Sequence, residues 1–385
     1  MASAEPRQQR VLGEGSLGRL ADLLGRERAR RALIVTGRES YSLSGAERTL
    51  SPMLRALDVT RFHEFETNPI LLDVERGVRL YRDVRPDIVI AVGGGSVIDM
   101  AKAINVLAVQ DAPPADVLTH AAPIDRRGRP MIAVPTTAGS GSEATHFATI
   151  YVGAVKHSLT HGSLLPDYAI VDPRLTSALP PQLTAITGLD ALAQAIESYW
   201  AVGATSGSQA LAGEAIDLMW KTLHVAVASP APAARADMAL GAHLAGRAID
   251  VSRTTAAHAI SYPLTKRYGV PHGHAVALTL AAWFEHNAKA PRASVHDARG
   301  PEYVERTLSA LCSRLGCATP AAAAAAWRNL VRSVGLATDL RGTGVSLDAV
   351  EGLVEEVNAE RLGNHPVQVT RGDLREILTA LVNGN

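Results

Sequence analysis

Cysteine is nearly missing: the 385 residues hold two, Cys312 and Cys317. They stand in CSRLGC, whose count and spacing fit neither a disulfide framework nor a zinc ribbon, so a reduced, cytoplasmic setting is expected. Net charge is missing as well, with 38 Lys and Arg against 38 Asp and Glu. That balance removes the broad electrostatic footprint of a nucleic-acid or acidic-membrane binder. Any anionic substrate must therefore be met by a local cluster of cations. The first ten residues, MASAEPRQQR, contain no apolar h-region, and no uncharged apolar run approaches the ~18 residues needed to span a bilayer. Neither a membrane nor a nucleic acid is expected as a partner. Apolar material is not lacking: at 47% hydrophobic, the chain can fill the cores of two ordinary domains.

The first half alternates short β-branched runs with helical patterns, the mark of a parallel sheet wrapped by helices. RALIVTG (31–37), DIVIAVGGG (87–95) and PMIAVPTT (130–137) read as buried strands ending in small or polar residues, and ligands bind at such carboxyl ends. After ALPP (178–181) the texture turns to long alanine- and leucine-rich segments with helical periodicity. The domain boundary is expected at that Pro-Pro pair, giving domains of 1–180 and 181–385. CATPAAAAAAWRNL (317–330) reads as a plain helix, alanine being the best helix former.

DIVIAVGGGSVIDMAKAI (87–104) is strand, glycine turn, helix. Gly93, Gly94 and Gly95 let a ligand approach the backbone, and Ser96 can cap a helix whose N–H groups and dipole favour a phosphate; Asp99 and Lys102 follow. Glycine-rich turns of this kind also arise for steric reasons alone. PTTAGSGSEATH (135–146) strengthens the phosphate reading, because a second hydroxyl- and glycine-rich loop follows a neighbouring strand. Two such loops can wrap a dinucleotide from both sides; a pair of polar surface turns is the alternative.

GGGSVIDMAKA, PTTAGSGSE, GLDALAQAIESY and HAISYPLTKRYGVPHGHA occur in the order and spacing of the iron-containing, or group III, alcohol dehydrogenases, and the chain resembles that family from about residue 10 to about residue 290. Through ETNP, SEATHFA, VKHSL, LLPDYAIVDP and TTAAHAISYPLT it is most similar to the branch that reduces phosphonoacetaldehyde. The resemblance implies an α/β Rossmann-like nucleotide domain followed by an all-α domain, with NAD(P)H in the cleft between them, and commonly a homodimer. Motif by motif, it assigns coenzyme contacts to Gly94, Gly95, Ser96, Asp99, Thr136, Thr137 and Ser140, with Asn68 and Lys156 at further coenzyme positions. Lys156 has a competing role against a substrate phosphonate. NAD-preferring relatives carry an Asp after the first strand, where this chain has Gly37 and Arg38. Without that carboxylate NADPH is admitted and is the expected coenzyme, NADH being the alternative; Arg38 either pairs with the 2′-phosphate or is a solvated surface residue.

In that family an Asp and three His hold the metal, and those positions fall on Asp190, Gln194, His258 and His272. Asp190 and Gln194 stand four apart and share a helix face. One carboxylate and two imidazoles already suffice for ferrous iron with open positions, and Gln194 can add an amide oxygen. The expectation is a modified but working site for Fe(II), Zn(II) or Mn(II). In the metal-free alternative, His258 and His272 donate hydrogen bonds to the carbonyl oxygen.

The chemistry implied is hydride transfer to an aldehyde carbon, with the cation as Lewis acid. Tyr262 stands where many relatives place a second, proton-relaying histidine; it is either a pocket donor or a packed aromatic. Candidate anion partners are Arg253, His146, His157, His161, Lys266 and His274. Phosphonoacetaldehyde, reduced to 2-hydroxyethylphosphonate, is the expected substrate, and phosphonopyruvate, reduced to phosphonolactate, is the alternative. The rival classes are a cyclase of the dehydroquinate synthase kind and a catalytically silent nucleotide-binding protein.

Overall fold

The computed structural model describes residues 8–153 and 155–384; residues 1–7 of the amino-terminal stretch read above lie outside them. The chain divides into two compact units, the first ending at Leu179 and the second beginning at Pro180.

Among the described residues, the first unit has strands β1 (Gln9–Leu12), β2 (Arg31–Thr36), β3 (Asp58–Phe62), β4 (Ile88–Gly93), β5 (Met131–Pro135), β6 (Phe147–Val152), β7 (Val155–Thr160) and β8 (Tyr168–Val171). Its helices are α1 (Leu20–Arg26), α2 (Ser40–Leu43), α3 (Ala46–Leu54), α4 (Leu71–Val84), α5 (Gly95–Leu107) and α6 (Pro114–Leu118). Six strands form one parallel sheet in the order β1-β8-β5-β4-β2-β3. Strand alternation divides its side chains between two cores. Leu33, Val35, Val89 and Ala91 face α4 and α5, while Ala32, Ile34, Ile88 and Ile90 face α1 and α3. A sheet covered on both faces explains why β2, β4 and β5 read as continuous apolar runs.

The strand order also locates a crevice. From β2 the chain goes to β3 on one side and then returns to β4 on the other, so the direction of winding reverses between β2 and β4. Ligands of such sheets bind outside the carboxyl ends at this switch point. Strands β6 and β7 form a separate antiparallel hairpin.

The second unit is helical, with α7 (Pro181–Trp200), α8 (Ser206–Ala228), α9 (Pro232–Ser252), α10 (Ala256–Tyr268), α11 (His272–Lys289), α12 (Pro301–Arg314), α13 (Pro320–Ser333), α14 (Val350–Glu355), α15 (Ala359–Leu362) and α16 (Arg371–Asn383). Helix α7 opens on a proline, whose missing N–H has no partner to lose in a first turn. Among the described residues, no helix is long and apolar enough to cross a membrane. Cys312 and Cys317 are both free.

Candidate active site

In the first unit, three loop segments converge at the switch point. Gly37 and Arg38 follow β2, Gly94 to Ser96 follow β4, and Thr136 to Ser140 follow β5. Pairing of Gly93 with Pro135 and a 3.0 Å bond from Thr136 N–H to the Gly93 carbonyl set the last two side by side. The glycines differ in what they must accommodate. A Cβ on Gly93 would overlap Val97, and one on Gly95 would overlap the Ser140 side chain. A Cβ on Gly94 would lie 3.4 Å from Thr137, an ordinary contact. Packing therefore requires glycine at 93 and 95 but not at 94, which leaves close approach of a ligand as the reason for it there.

Helix α5 begins at Gly95 without a side-chain cap, so Ser96 lies inside its first turn and does not cap it as expected, and its first N–H groups are available to a phosphate. The Thr136 hydroxyl beside it is buried and has no hydrogen-bond partner. Both features suit a dinucleotide pyrophosphate. Asn68, in left-handed backbone at φ 65°, donates its N–H to Ser96 Oγ at 3.4 Å and so joins the same loop.

Four residues of the expected set do something more local. Asp99 accepts from Ser142 Oγ and, at 2.9 Å, from Thr149 N–H, tying α5 to the second loop and to β6. Burial raises its pKa, against the neighbouring Lys102 and Lys156 charges. Both of its oxygens are taken up by these donors, so its role is corrected to bracing the loop. Arg38 pairs with Glu66 at 3.1 Å, both side chains well exposed. Lys156 and His157 are adjacent on β7 and so face opposite ways. His157 shares its face with Ile150 and Leu159, which are buried against α5, whereas Lys156 lies across from Tyr151 and acts electrostatically on Asp99.

Arg61 on β3 is a residue the sequence reading passed over. It donates to Thr36 Oγ1 at 2.8 Å, to the Gly37 carbonyl at 3.1 Å and to the Arg38 carbonyl at 3.3 Å, and its guanidinium lies 4.8 Å from the centre of the Tyr41 ring. It thereby shapes the whole turn after β2.

In the second unit, Asp190, His258 and His272 each offer a ligand atom, and the three atoms lie within 4.8 Å of one another. Asp190 Oδ1 is 3.4 Å from His258 Nε2 and 3.7 Å from His272 Nε2. Metal–ligand bonds of ~2.1 Å at tetrahedral to octahedral angles separate neighbouring ligands by roughly 3.0–3.4 Å, so a modest contraction would close the site. Gln194 completes the group. Its amide nitrogen donates to Asp190 Oδ2 at 3.3 Å, and its Oε1 is buried with no hydrogen-bond partner. His258 Nε2 is likewise buried and faces Asp190 Oδ1 across that 3.4 Å gap. A buried acceptor without a partner, such as Gln194 Oε1, is rare and asks for an occupant. The donor set of one carboxylate, two imidazoles and one amide oxygen fits a divalent transition metal.

Two features bring the ligands together. On α7, Asp190 and Gln194 stand one turn apart. On α11, the residue after His272 is Gly273, where a Cβ would overlap the Ile186 carbonyl oxygen and come 2.9 Å from Asp190 Cβ. Only glycine lets α11 rest on the α7 backbone, and that closeness carries His272 to Asp190. The ring of His258 is 4% exposed and that of His272 is 36% exposed, so the group opens on the His272 side.

The surroundings of the two imidazoles differ. His258 Nδ1–H donates to Glu197, a wholly buried carboxylate that the sequence reading missed although it lies on the Asp190 face, seven residues on. His272 Nδ1 faces Ser261 Oγ at 3.2 Å. Burial pushes the His258 pKa down, but the Glu197 and Asp190 carboxylates outweigh it and carry it up to about 9. Tyr262 stacks on His272 with ring centres 5.8 Å apart, and burial raises its phenol pKa. Arg361 on α15, also unanticipated, sits 5.1 Å from the centre of the Tyr262 ring and donates to Thr254 Oγ1 at 3.0 Å.

Several expected anion partners are engaged elsewhere. Lys266 is in the last turn of α10 and pairs with Glu356 at 3.8 Å, and His274 bonds the Ala337 carbonyl at 2.8 Å; neither belongs to this centre. Arg253 follows α9 in left-handed backbone at φ 63°, next to the Thr254 that holds Arg361. In the first unit, the His146 ring stands edge-on to Phe147, and His161 Nδ1 caps the turn at Ser163.

Comparison with known proteins accounts for both units. The iron-containing alcohol dehydrogenase profile matches residues 7–173, and that of the Fe-containing alcohol dehydrogenase family, C-terminal, matches residues 184–382. Long-chain-alcohol dehydrogenase 1 of Geobacillus thermodenitrificans is 33% identical over 97% of this chain and 95% of its own. The phosphonoacetaldehyde reductase of Streptomyces viridochromogenes is 36% identical over 86% of this chain and 84% of its own. Among solved structures, sulfoacetaldehyde reductase from Bifidobacterium kashiwanohense in complex with NAD+ superimposes with a TM-score of 0.89 at 30% identity, covering 99% of this chain and 98% of that one. The chain is an oxidoreductase and belongs to the iron-containing alcohol dehydrogenase family.

Proposed function

We propose that the protein reduces a small aldehyde bearing an anionic group, with phosphonoacetaldehyde as substrate, 2-hydroxyethylphosphonate as product and NADPH as coenzyme. The observation that carries the catalytic part is the convergence of Asp190, His258 and His272 with the partnerless Gln194 Oε1. These four residues would hold a divalent cation, Fe(II) or Zn(II). When bound, the cation supplies Lewis acidity toward a carbonyl oxygen and the reduced nicotinamide supplies the hydride.

The chain's own groups orient and protonate. Gly94, the N–H groups opening α5 and the Thr136 hydroxyl would bind the pyrophosphate. Tyr262, kept neutral by its burial, has a hydroxyl to donate toward a developing alkoxide. Arg361 against that ring supplies the cation an anionic substituent needs, which supports the phosphonate reading, as does the similarity to reductases of phosphonoacetaldehyde and sulfoacetaldehyde. NADPH is favoured because the first residue after β2 is Gly37 rather than an Asp; the exposed Arg38 can leave Glu66 for a 2′-phosphate.

The test is coenzyme oxidation by the Fe(II)- or Zn(II)-loaded enzyme with phosphonoacetaldehyde, phosphonopyruvate, sulfoacetaldehyde and propanal. Phosphonoacetaldehyde should give the highest kcat/KM, and NADPH should exceed NADH. Arg361→Ala should lower kcat/KM for the phosphonate by roughly 10- to 100-fold, the weight of one charge-assisted hydrogen bond, and leave propanal unaffected. Equal or better turnover of propanal by the wild type would overturn the substrate assignment.

A further inference from the structure

Glu197 occupies a position that neither the ligand set nor the coenzyme loops explain. It is 0% exposed on α7, and both of its oxygens meet α10. Oε1 accepts from Thr255 N–H at 3.0 Å, Thr255 Oγ1 at 2.7 Å, Ala257 N–H at 3.0 Å and His258 N–H at 3.3 Å. Oε2 accepts from His258 Nδ1. Helix α10 has no side-chain cap of its own, so Glu197 caps it from another helix. Its charge is compensated by these donors and by the positive end of the α10 dipole.

We propose that Glu197 is a positioning residue for the metal centre: it holds a proton of His258 on Nδ1, makes Nε2, which faces Asp190, the nitrogen that gives up its proton to a cation, and thereby sets metal affinity. The inference rests on reading Asp190, His258 and His272 as that centre. A carboxylate is acceptor-only, so its partner nitrogen must be the protonated one. With Oε1 anchoring the first turn of α10 as well, neither the ring nor the helix that carries it can turn away from Asp190. His272 has only the Ser261 hydroxyl in the equivalent place, a neutral acceptor whose own proton goes to the His258 carbonyl at 2.7 Å and which brings no charge to the ring.

Glu197→Gln separates orientation from capping. The amide oxygen can still accept from the α10 N–H groups, while the NH2 would face Nδ1, force it to accept and move the proton onto Nε2. Co(II) binding to metal-free protein by calorimetry should weaken about 10- to 100-fold in Glu197→Gln, with a melting temperature close to the wild type, and Glu197→Asp should recover part of the loss. Long-range 1H–15N spectra, at a pH where His258 is neutral, should show the proton on Nδ1 in the wild type and on Nε2 in Glu197→Gln. Wild-type Co(II) affinity in Glu197→Gln, or an Nε2 proton in the wild type, would overturn the proposal, and the second reading needs no variant. If the wild type binds no Co(II) yet carries the Nδ1 proton, the metal reading fails while Glu197 is still shown to orient His258.

Discussion

The coenzyme loops of the first unit and the metal group of the second are built on opposite plans. The loops are made of main chain: what matters at Gly93 and Gly95 is the room a side chain would take, and what matters at the start of α5 is the direction of N–H groups. The metal group is made of side chains, each held by a further side chain or by the fit of one helix on another, as with Glu197 behind His258 and Gly273 under His272. A main-chain site is robust to most substitutions and fails only where bulk enters. A side-chain site fails at each ligand and again at each residue that supports one.

The largest expected effect removes a ligand. His258→Ala should abolish Co(II) binding and lower kcat by about 10³-fold or more, several kcal/mol of lost Lewis-acid stabilisation, while binding of the reduced coenzyme, followed by fluorescence, stays as in the wild type. Loss of coenzyme binding in this variant would break the contrast, because the two sites would then not be independently built. Next, Gly273→Ala should push α11 off α7 and weaken Co(II) binding about 10- to 100-fold without touching a ligand; unchanged affinity in calorimetry would mean that the helix contact is not what carries His272 to Asp190. Gly94→Ala, on the other side of the contrast, should fold with an unchanged melting temperature and Co(II) affinity but raise the KM for coenzyme by about tenfold, one hydrogen-bond equivalent of about 1.4 kcal/mol. Gly95→Ala, by comparison, should lower the melting temperature, since its Cβ meets Ser140.

The smallest effect is one of pH. In the second unit, burial and then the neighbouring His286 and His296 hold the His365 pKa well below the ordinary histidine value of 6.5. Below that value the unfolded chain takes up a proton that the folded chain refuses, so stability present above 6.5 is lost as the pH falls toward the folded pKa, by about 1.4 kcal/mol per pH unit for one proton. In the first unit, Asp172 has a lowered pKa: burial raises it, but the hydrogen bonds from Arg174 and from backbone N–H groups prevail. Its contribution is present above 3.8 and is lost only as the pH falls through the folded value. Hydrogen exchange between pH 7 and 4 should show protection declining in the second unit first; simultaneous decline would remove the distinction.

What the sequence revealed follows the same contrast. The ends of β2, β4 and β5 and the glycine turns were legible because they depend on local periodicity and on residue size. Asp190 and Gln194 were legible as one helix face, yet Glu197, one further step along that face, was passed over because the reading stopped at a spacing of four. Lys266 and His274 were chosen for nearness in sequence, and helix geometry explains why that misled. Eight residues of α10 carry Lys266 about 12 Å from His258 along the axis, and two residues of α11 turn His274 about 200° from His272. His157 was separated from Lys156 by strand alternation, in a β6–β7 hairpin that was not foreseen because it stands apart from the parallel sheet. Arg61 and Arg361 could not be found from motifs at all, since each reaches its target from an element distant in the chain.

Arg61 has a consequence for anyone redesigning coenzyme choice. The loop after β2 takes its shape from three donations out of β3, so exchanging residues 37 and 38 alone would leave the new side chains on a scaffold still moulded by the old guanidinium. A swap between the two nicotinamide coenzymes should be engineered as a change to a pair of adjacent strands, with position 61 varied together with the loop.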